Sequence, residues 1–456
     1  MEQAEVVVIG AGLSGLVAAR ELRKAGVEDV VVLEARDRVG GRLDAFVRPN
    51  GQPLMRGGEF TGPVQAELHR LAAELGIAYE PLPPFAGPGA PGRFVRVSRG
   101  ERIVESEPLE GDPDARAAYD AAIARLEELA TTVPADAPWD APDAVAIDAT
   151  SIGAWLRGNV ASDAARELIA MDLAYFGDMD EVSLLHLVWF LACFGSWEAS
   201  QDSHGRFVGG TAQIPQRLAA ELGERVRTSA PVRRVERDAD GVTVHHDGGA
   251  VRARAAIFAL EPGQAGKIEW EPRLPPARDR LQSRWLSGHG AKYFAVYDTP
   301  FWRKEGLAGI ASGPAPLQLA LDLSPSDGSE GILALLHCAD GSGVAAWSEA
   351  MADPDGWRAM VLDRLELYFG PRARNPRELY GFDWSGDRWS EGCGTQLPLG
   401  VLSTVGRTLR APIGRLVWAG ADTGTSDWME GAVTSGQRAA REAALLAGRT
   451  AAEAVR

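Results

Sequence analysis

Residues that form disulfides or bind metals are scarce in this sequence. Its 456 residues include 3 cysteines and 7 histidines, and neither a CxxC nor an HExxH spacing occurs. So few cysteines exclude a disulfide-stabilised scaffold and favour a reducing compartment. Because the ligand spacings typical of zinc sites are missing, we expect no dedicated metal site. The chain is long enough to bury a large core without such supports.

Basic residues are also in deficit. Lysine and arginine number 47 against 63 acidic residues, and the formal net charge is −16 at pH 7. A surface of this sign repels the phosphate backbone of nucleic acids. We therefore expect no nucleic-acid partner.

Long apolar runs are missing as well. No stretch of about 18 apolar residues occurs, so we expect no segment that spans a membrane. The N-terminal sequence MEQAEVVVIGAG has neither the basic start nor the long apolar stretch of a secretory signal, and it leads directly into a strand pattern. We predict a cytoplasmic protein without membrane contact.

The order of the predicted elements indicates two interleaved domains. A buried strand, a glycine turn, a helix and a second buried strand form one βαβ unit near the N-terminus. Pro- and Gly-rich breaks, a run of helices and a meander of period two follow, and a strand–loop–helix returns near the C-terminus. We predict an α/β (α+β) fold with a discontinuous, Rossmann-type nucleotide-binding domain and an inserted substrate domain of mixed sheet and helices. The expected ranges are 1–80, 205–287 and 385–456 for the first domain, and 81–204 and 288–384 for the second, with its helical part at about 112–195.

A glycine-rich turn lies between the first predicted strand and helix. Gly10, Gly12 and Gly15 form the pattern GxGxxG, and Glu34 ends the next strand 19 residues after Gly15. Gly10 would make the tight turn, Gly12 would let the backbone approach a pyrophosphate at the helix N-terminus, and Gly15 would allow close helix–strand packing. Glu34 would accept a hydrogen bond from a ribose hydroxyl. A glycine turn without a ligand is the alternative.

The segment EARDRVGGR, from Glu34 to Arg42, follows the second strand without a break. Its adjacent glycines, Gly40 and Gly41, let the chain pass close to a bulky planar ligand, and Arg42 can offer paired donors to phosphate or flavin oxygens. Taken alone, its arginines could equally be surface charges.

Together, GAGLSG and EARDRVGGR resemble the flavin-containing amine oxidase family, which includes monoamine and polyamine oxidases. Four further segments are similar to motifs of that family and occur in the same order, so the resemblance covers residue 6 to about residue 440. They are RGGEFTGPVQ at 56–65, RFVGG at 206–210 with Pro231-Val232, GHGAK at 288–292, and WAGAD at 418–422 with WMEGA at 428–432.

The resemblance implies FAD as the cofactor of a Rossmann-type FAD-binding domain. The Val232 backbone would meet the adenine, Asp422 would bind the ribitol, and the N–H groups near Met429, at a helix start, would face the flavin or its phosphates. The residues expected to contact FAD are Gly10, Gly12, Ser14, Gly15, Glu34, Ala35, Arg36, Gly41, Arg42, Gly57, Gly58, Glu59, Phe60, Val232, Trp384, Cys393, Gly420, Asp422, Met429 and Ala432.

Lys292 and Trp428 are the expected catalytic residues. Lys292 stands where the family has a lysine that holds a water against the flavin N5 atom. The residues also support this role, because Lys292 directly precedes the strand-like run Tyr293–Tyr297 and would lose hydration among apolar neighbours. A desolvated lysine can position water or accept a proton. An exposed lysine at a strand end is the alternative.

The expected substrate pocket departs from the family pattern. Many amine oxidases hold the amine between two aromatic rings, which orient the nitrogen and exclude water. Trp428 corresponds to one ring, whereas Gly394 stands in place of the tyrosine that supplies the other. We expect a half-open cage with room for a bulkier or differently placed substrate. The expected pocket residues are Phe176, Trp189, Ser203, His204, Gly394 and Trp428.

Cys393 leaves two alternatives open. It matches the cysteine that forms a thioether to the flavin 8α carbon in the mitochondrial monoamine oxidases, while other family members bind FAD without a covalent bond. We favour a small packed thiol beside non-covalently bound FAD.

The resemblance implies an FAD-dependent oxidase that converts a small-molecule amine to an imine, which hydrolyses to an aldehyde or ketone while O₂ is reduced to H₂O₂. One alternative is an L-amino acid oxidase, which needs a cation for the substrate carboxylate; here GGEFTGP replaces the arginine-bearing stretch expected of that branch. A flavin oxidase or desaturase of secondary metabolism and a non-catalytic FAD-binding scaffold are the others. The residues leave the oligomeric state open, and a homodimer is compatible with them.

Overall fold

The computed structural model describes residues 1–83, 89–201, 205–338, 341–353, 355–424 and 428–454. The strands in this part of the chain are β1 (Glu2–Ile9), β2 (Val30–Leu33), β3 (Ala45–Val47), β4 (Pro53–Met55), β5 (Phe60–Thr61), β6 (Tyr79–Pro81), β7 (Arg93–Ser98), β8 (Glu101–Glu105), β9 (Gly205–Phe207), β10 (Val226–Arg227), β11 (Val232–Arg237), β12 (Val242–His246), β13 (Gly249–Ala259), β14 (Glu269–Glu271), β15 (Leu286–Ser287), β16 (Gly290–Tyr297), β17 (Leu307–Ser312), β18 (Leu319–Asp322), β19 (Gly331–Cys338), β20 (Glu378–Asp383), β21 (Thr395–Gln396) and β22 (Leu416–Ala419).

The α-helices in the same part of the chain are α1 (Leu13–Lys24), α2 (Ala66–Glu74), α3 (Pro113–Ala130), α4 (Ala144–Asp148), α5 (Ile152–Asn159), α6 (Asp163–Asp172), α7 (Leu184–Phe194), α8 (Trp197–Ser200), α9 (Gln213–Leu222), α10 (Pro262–Ala265), α11 (Pro276–Ser283), α12 (Phe301–Lys304), α13 (Gly341–Ala352), α14 (Gly356–Phe369), α15 (Leu402–Val405) and α16 (Met429–Leu446). Short 3₁₀ turns at Ala174–Phe176 and Ala421–Thr423 also border the site described below.

The main sheet has eight strands in the order β10-β2-β1-β13-β12-β11-β14, with β22 paired to β13. Strands β10, β2, β1, β13 and β22 pair in parallel. The first residues of the long strand β13 form antiparallel pairs with β12, and its last residues form parallel pairs with β22. The runs at 6–9 and 30–33 are buried throughout, as expected for strands covered on both faces.

The parallel strands end at one edge of the main sheet. Ile9 lies opposite both Leu33 and Phe258, and Ala259 lies opposite Ala419. In open parallel sheets the ligand binds at the carboxyl ends of the strands. The loops that follow β1, β2, β13 and β22 therefore meet at the edge where a ligand is expected.

A second, seven-stranded sheet has the order β20-β16-β19-β18-β17-β7-β8. Its strand β16 is buried along its whole length between β19 and β20. Helix α14 covers one face, where Val361 and Leu365 join a core with Tyr293, Leu333 and Leu335. The sheet thereby holds the start of β16 rigidly beside the main sheet's carboxyl edge.

A separate core lies among the helices α3 to α7, where Leu126, Ile169, Leu185 and Val188 are buried together. This agrees with the predicted run of helices. No helix in the described residues combines the length and the apolar character needed to cross a bilayer.

The structure departs from the sequence-based expectation at two places. The sequence of residues 345–368 predicts a single helix, whereas the structure has two separate helices, α13 and α14. The sequence has a proline at position 354, outside the described residues, and a proline disfavours helical geometry in the residue before it. In the region expected to form a meander, β10 pairs in parallel with β2 instead of with its sequence neighbour β11.

Candidate active site

The carboxyl edge of the main sheet opens into a cavity of about 710 Å³. This volume lies within the range of sites that bind small molecules and cofactors. The residues expected from the sequence that line it are Gly10, Gly12, Ser14, Glu34, Ala35, Arg36, Gly41, Arg42, Gly57, Gly58, Glu59, Phe60, Phe176, Val232, Lys292, Trp384, Cys393, Gly394, Gly420, Asp422, Trp428, Met429 and Ala432.

Four expected residues are not among those lining the cavity. Gly15 lies behind the turn, where an added Cβ would overlap the Gly10 carbonyl oxygen. Trp189 is 4% exposed and its indole N–H donates to the Ala135 carbonyl at 2.8 Å, within the helical core. The prediction for Trp189 is corrected because successive helical residues point about 100° apart, and its neighbour Phe190 takes the cavity side. Ser203 and His204 lie outside the described residues.

The glycine turn forms a cradle at the start of α1. Gly10 has φ +102°, and a Cβ there would lie 2.7 Å from the Ala259 carbonyl oxygen, so only glycine fits without strain. Gly12 is the N-cap of α1, with no side-chain cap, and a Cβ there would meet nothing within 4 Å. The first N–H groups of α1 lack a capping side chain, which is the arrangement that binds a pyrophosphate.

Glu34 is buried at the end of β2 and is oriented by the backbone around it. Its Oε2 accepts a hydrogen bond from the Ala11 N–H, and its Oε1 accepts one from the Arg36 N–H, both at 2.8 Å. A carboxylate has about four lone-pair sites, so Glu34 keeps acceptor capacity for a ribose hydroxyl. The cradle and Glu34 together fit the adenosine diphosphate part of a dinucleotide.

A charged cluster follows strand β22. Arg42 Nη2 donates to Asp422 Oδ2 at 2.9 Å, and the Thr395 hydroxyl donates to Asp422 Oδ1 at 2.8 Å. The Asp422 carboxylate raises the pKa of Arg42 above its usual range. Both charged side chains are therefore held in place beside the cavity before any ligand arrives.

Glu261 is a cavity residue that the sequence analysis missed. Its Oε1 accepts hydrogen bonds from the Trp285 indole N–H at 2.7 Å and from the Ser287 hydroxyl. Burial, with the negative charge of Asp422 as the next cause, raises the pKa of Glu261 to about 7. Its place two residues after β13, at the same edge as Glu34, was the signal that could have found it.

Lys292, the third residue of β16, forms an ion pair with Glu59. Their side chains are 6% and 9% exposed. The Lys292 Nζ also lies 5.6 Å from the Phe60 ring centroid and 5.3 Å from that of Phe294. Lys292 thus has the apolar surroundings expected from the sequence, together with a carboxylate partner that was not expected.

The Cys393 side chain opens into the cavity beside the start of β16. A Cβ added at Gly290 would lie 2.6 Å from the Cys393 Cβ, so the two chains are in close contact. Burial within the surrounding protein raises the pKa of the Cys393 thiol. The positive charges of Arg42 and Lys292 act in the opposite direction and lower the pKa of this thiol.

Aromatic rings surround the helical end of the cavity. The Trp428 ring centroid lies 6.1 Å from that of Phe190 and 4.9 Å from that of Phe194. Tyr175 lies 5.6 Å from Phe190 and 4.8 Å from Phe176. Tyr175 and Phe190, which belong to the same helical section as the expected pocket residue Phe176, also line the cavity.

A parallel sheet with an uncapped helix N-terminus after its first strand and an acidic residue after its second is the architecture of dinucleotide-dependent oxidoreductases. An aromatic pocket in the same cavity adds a place for an apolar substrate. The fold and the site therefore resemble those of oxidoreductases that use a nucleotide cofactor.

Comparison with known proteins identifies the family. Residues 13–444 match the family described as flavin containing amine oxidoreductase, and the chain belongs to this family. A protein of Mycobacterium tuberculosis named as a flavin-containing monoamine oxidase, AofH, is 37% identical over 463 residues, which cover 97% of each chain. An L-amino acid dehydrogenase of Synechocystis sp. is 32% identical over 462 residues, covering 96% of this chain and 94% of the other.

A solved structure is also similar over nearly the whole chain. A putrescine oxidase bound to putrescine has a TM-score of 0.90 and 31% sequence identity, covering 96% of this chain and 98% of that chain. These findings confirm the family and the α/β fold class predicted from the sequence. The protein is a flavin-dependent amine oxidase.

Proposed function

We propose that the protein oxidises a small-molecule amine with FAD as its flavin and O₂ as the electron acceptor. For a primary amine, R₂CH–NH₂, O₂ and H₂O become R₂C=O, NH₃ and H₂O₂. One observation carries the proposal: the dinucleotide cradle around Gly12 and Glu34 and the aromatic rings around Trp428 line a single cavity.

Two features support FAD rather than a shorter flavin. The start of α1 suits a pyrophosphate, and Glu34 suits a ribose hydroxyl, which only a dinucleotide provides at this position. The raised pKa of the Cys393 thiol supports non-covalent attachment, because thioether formation needs the thiolate. FAD without a covalent bond is therefore the proposed cofactor.

When bound, the flavin supplies the two-electron acceptor. The proposed role of Trp428, which packs against Phe190, is to exclude water and to orient the neutral amine, whose nitrogen lone pair the reaction needs. The Lys292 ammonium, held by Glu59, is the proposed donor that positions a water at the reacting end. Arg42, Thr395 and Asp422 would fix the ribitol region through their existing hydrogen bonds.

Oxidation of an L-amino acid is the second candidate, which the similarity to an L-amino acid dehydrogenase favours. Such a substrate needs a cation for its carboxylate. Two lining cations already have carboxylate partners, since Lys292 pairs with Glu59 and Arg56 pairs with Asp44. A substrate carboxylate would have to displace Glu59 or Asp44 to pair with either of these two cations, which favours an amine.

The proposal extends to the organisation of the chain. The strands of the main sheet lie within residues 2–271 and 416–419, and none of them falls in 81–204. The strands of the second sheet lie within 93–105 and 290–383. This supports an FAD-binding domain of 1–80, 205–287 and 385–456 with an inserted substrate domain. A cytoplasmic location rests on the low cysteine content, and a homodimer stays a prediction for size-exclusion chromatography.

A peroxide-coupled assay with matched substrate pairs tests the proposal. Each pair joins an amine to the amino acid with the same side chain, such as tyramine with L-tyrosine. We expect H₂O₂ from amines and none from amino acids. The reverse pattern would establish amino acid oxidation, and no H₂O₂ from any member of a broad panel, with FAD bound, would contradict the proposal.

A further inference from the structure

Gly394 leaves a defined gap in the pocket wall. It lines the cavity with φ +98°, a conformation that other residues adopt only with strain. A Cβ added there would have the Tyr175 carbonyl oxygen, 3.8 Å away, as its nearest neighbour. The backbone of Tyr175 therefore borders the space that Gly394 leaves open.

Tyr175 belongs to the 3₁₀ turn Ala174–Phe176, which Gly177 ends. This turn comes from the helical part of the chain, whereas Gly394 directly precedes β21. Tyr175 and Gly394 thus belong to segments that are far apart in the sequence, and both residues line the cavity.

The Tyr175 ring continues an aromatic surface that begins at Trp428. Phe190 contacts both rings, with centroid distances of 5.6 Å to Tyr175 and 6.1 Å to Trp428. All three residues line the cavity.

We propose that Tyr175 supplies the second aromatic wall of the amine pocket, in place of a side chain at position 394, and that the wider pocket selects apolar amines with a branched or cyclic nitrogen-bearing carbon. This inference rests on the proposed amine oxidation. Tyr175 closes the pocket from the helical side, while Gly394 leaves volume free on the strand side. A cyclic substituent fills that volume, whereas a linear chain of equal carbon number leaves part of it without contacts.

Cyclohexylamine and n-hexylamine are matched probes, because both carry six carbons and one primary amine. We expect the wild-type protein to prefer cyclohexylamine in kcat/KM. In Tyr175→Ala, kcat/KM for cyclohexylamine should fall about tenfold, mainly through KM, because one aromatic wall is lost. Tyr175→Phe keeps the ring and should stay within about twofold of wild type.

A binding measurement separates the wall from a structural role. 1-Methylcyclohexylamine has no hydrogen on its nitrogen-bearing carbon and cannot be oxidised, so its Kd can be read from the change it causes in the flavin spectrum. We expect Tyr175→Ala to raise this Kd about tenfold at unchanged flavin content and melting temperature. Tyr175→Leu keeps apolar volume without a ring. The same Kd is measured on this variant if Tyr175→Ala fails to fold.

Each outcome has one meaning. If Tyr175→Leu or Tyr175→Ala binds 1-methylcyclohexylamine as tightly as wild type, Tyr175 is no wall and the inference is wrong. A wild-type preference for n-hexylamine would overturn the proposed selectivity. If the wild-type protein oxidises no amine at all, the proposed function itself fails, independently of these variants.

Discussion

Glu59 and Lys292 form a buried ion pair in the wall of the cavity, although 233 residues separate them in the sequence. Glu59 directly precedes β5, and Lys292 lies on β16, an inner strand of the second sheet. The pair therefore joins the glycine-rich segment of the proposed FAD-binding domain to the proposed substrate domain. It also fixes the position of the Lys292 ammonium, on which the proposed chemistry depends.

Replacing Lys292 with methionine removes the ammonium and keeps most of the side-chain volume. In Lys292→Met we expect flavin reduction or reoxidation to slow by on the order of a hundredfold with FAD still bound, because a positioned proton donor is lost. Stopped-flow absorbance with a reactive amine measures both half-reactions. Lys304→Met, at an exposed position, is the control, and traces equal to wild type in Lys292→Met would reject the role.

Removing one charge of the pair should destabilise the protein more than removing both. Glu59→Gln leaves the Lys292 ammonium buried without a carboxylate, which costs about 3–5 kcal/mol in comparable pairs. The double variant Glu59→Gln with Lys292→Met should recover part of that loss. Urea unfolding of the flavin-free protein gives the free energies of unfolding. If the double variant is less stable than Glu59→Gln, the pair does not act as described.

Glu261 should make stability depend on pH. The pKa of Glu261 rises from 4.5 to about 7 on folding. Between pH 4.5 and about pH 7 the folded state therefore keeps a proton on Glu261 that the unfolded state has released. The stabilisation from Glu261 is complete below about pH 4.5 and is lost as the pH rises through about 7. Glu261→Gln keeps an acceptor for Trp285 and Ser287 and should remove this dependence.

The measurement is urea unfolding of the flavin-free protein at pH 5 and pH 8. At each pH, the free energy of unfolding of wild type is subtracted from that of Glu261→Gln. This difference should be larger at pH 8 than at pH 5 by up to roughly 3 kcal/mol. Glu101→Gln, at an exposed position on β8, controls for the loss of a surface charge. If the free energies of unfolding of wild type and Glu261→Gln change equally between pH 5 and pH 8, Glu261 keeps its ordinary pKa in the folded state.

Acid precipitation tests the attachment of the cofactor. Because burial raises the pKa of the Cys393 thiol, we expect FAD to be released, giving a colourless pellet and a yellow supernatant. Cys393→Ser should release the same fraction as wild type. A yellow pellet that becomes colourless only in Cys393→Ser would establish a thioether instead.

Local sequence patterns sufficed for the dinucleotide cradle. Gly10, Gly12 and Glu34 belong to one short βαβ unit, whose geometry follows from the order of strand, turn and helix. The cavity position of these residues could therefore be predicted without knowledge of the rest of the chain.

Contacts between distant segments could not be predicted in this way. The pairing of Glu59 with Lys292 depends on how the two sheets meet, which no local pattern reports. Helix α7 is apolar on nearly all sides, so its sequence does not tell which of Trp189 and Phe190 faces the cavity. Tyr175 gains its place beside Gly394 only through the packing of the helical part against β21.

The central claim is that the cavity holds FAD next to the bound amine. Anaerobic titration of the purified, FAD-loaded protein with cyclohexylamine, followed by absorbance, tests it most directly. We expect a yellow protein whose colour is bleached by about one equivalent of amine and returns on admission of air. A protein that stays colourless after incubation with FAD, or a yellow protein that no amine bleaches, would contradict it.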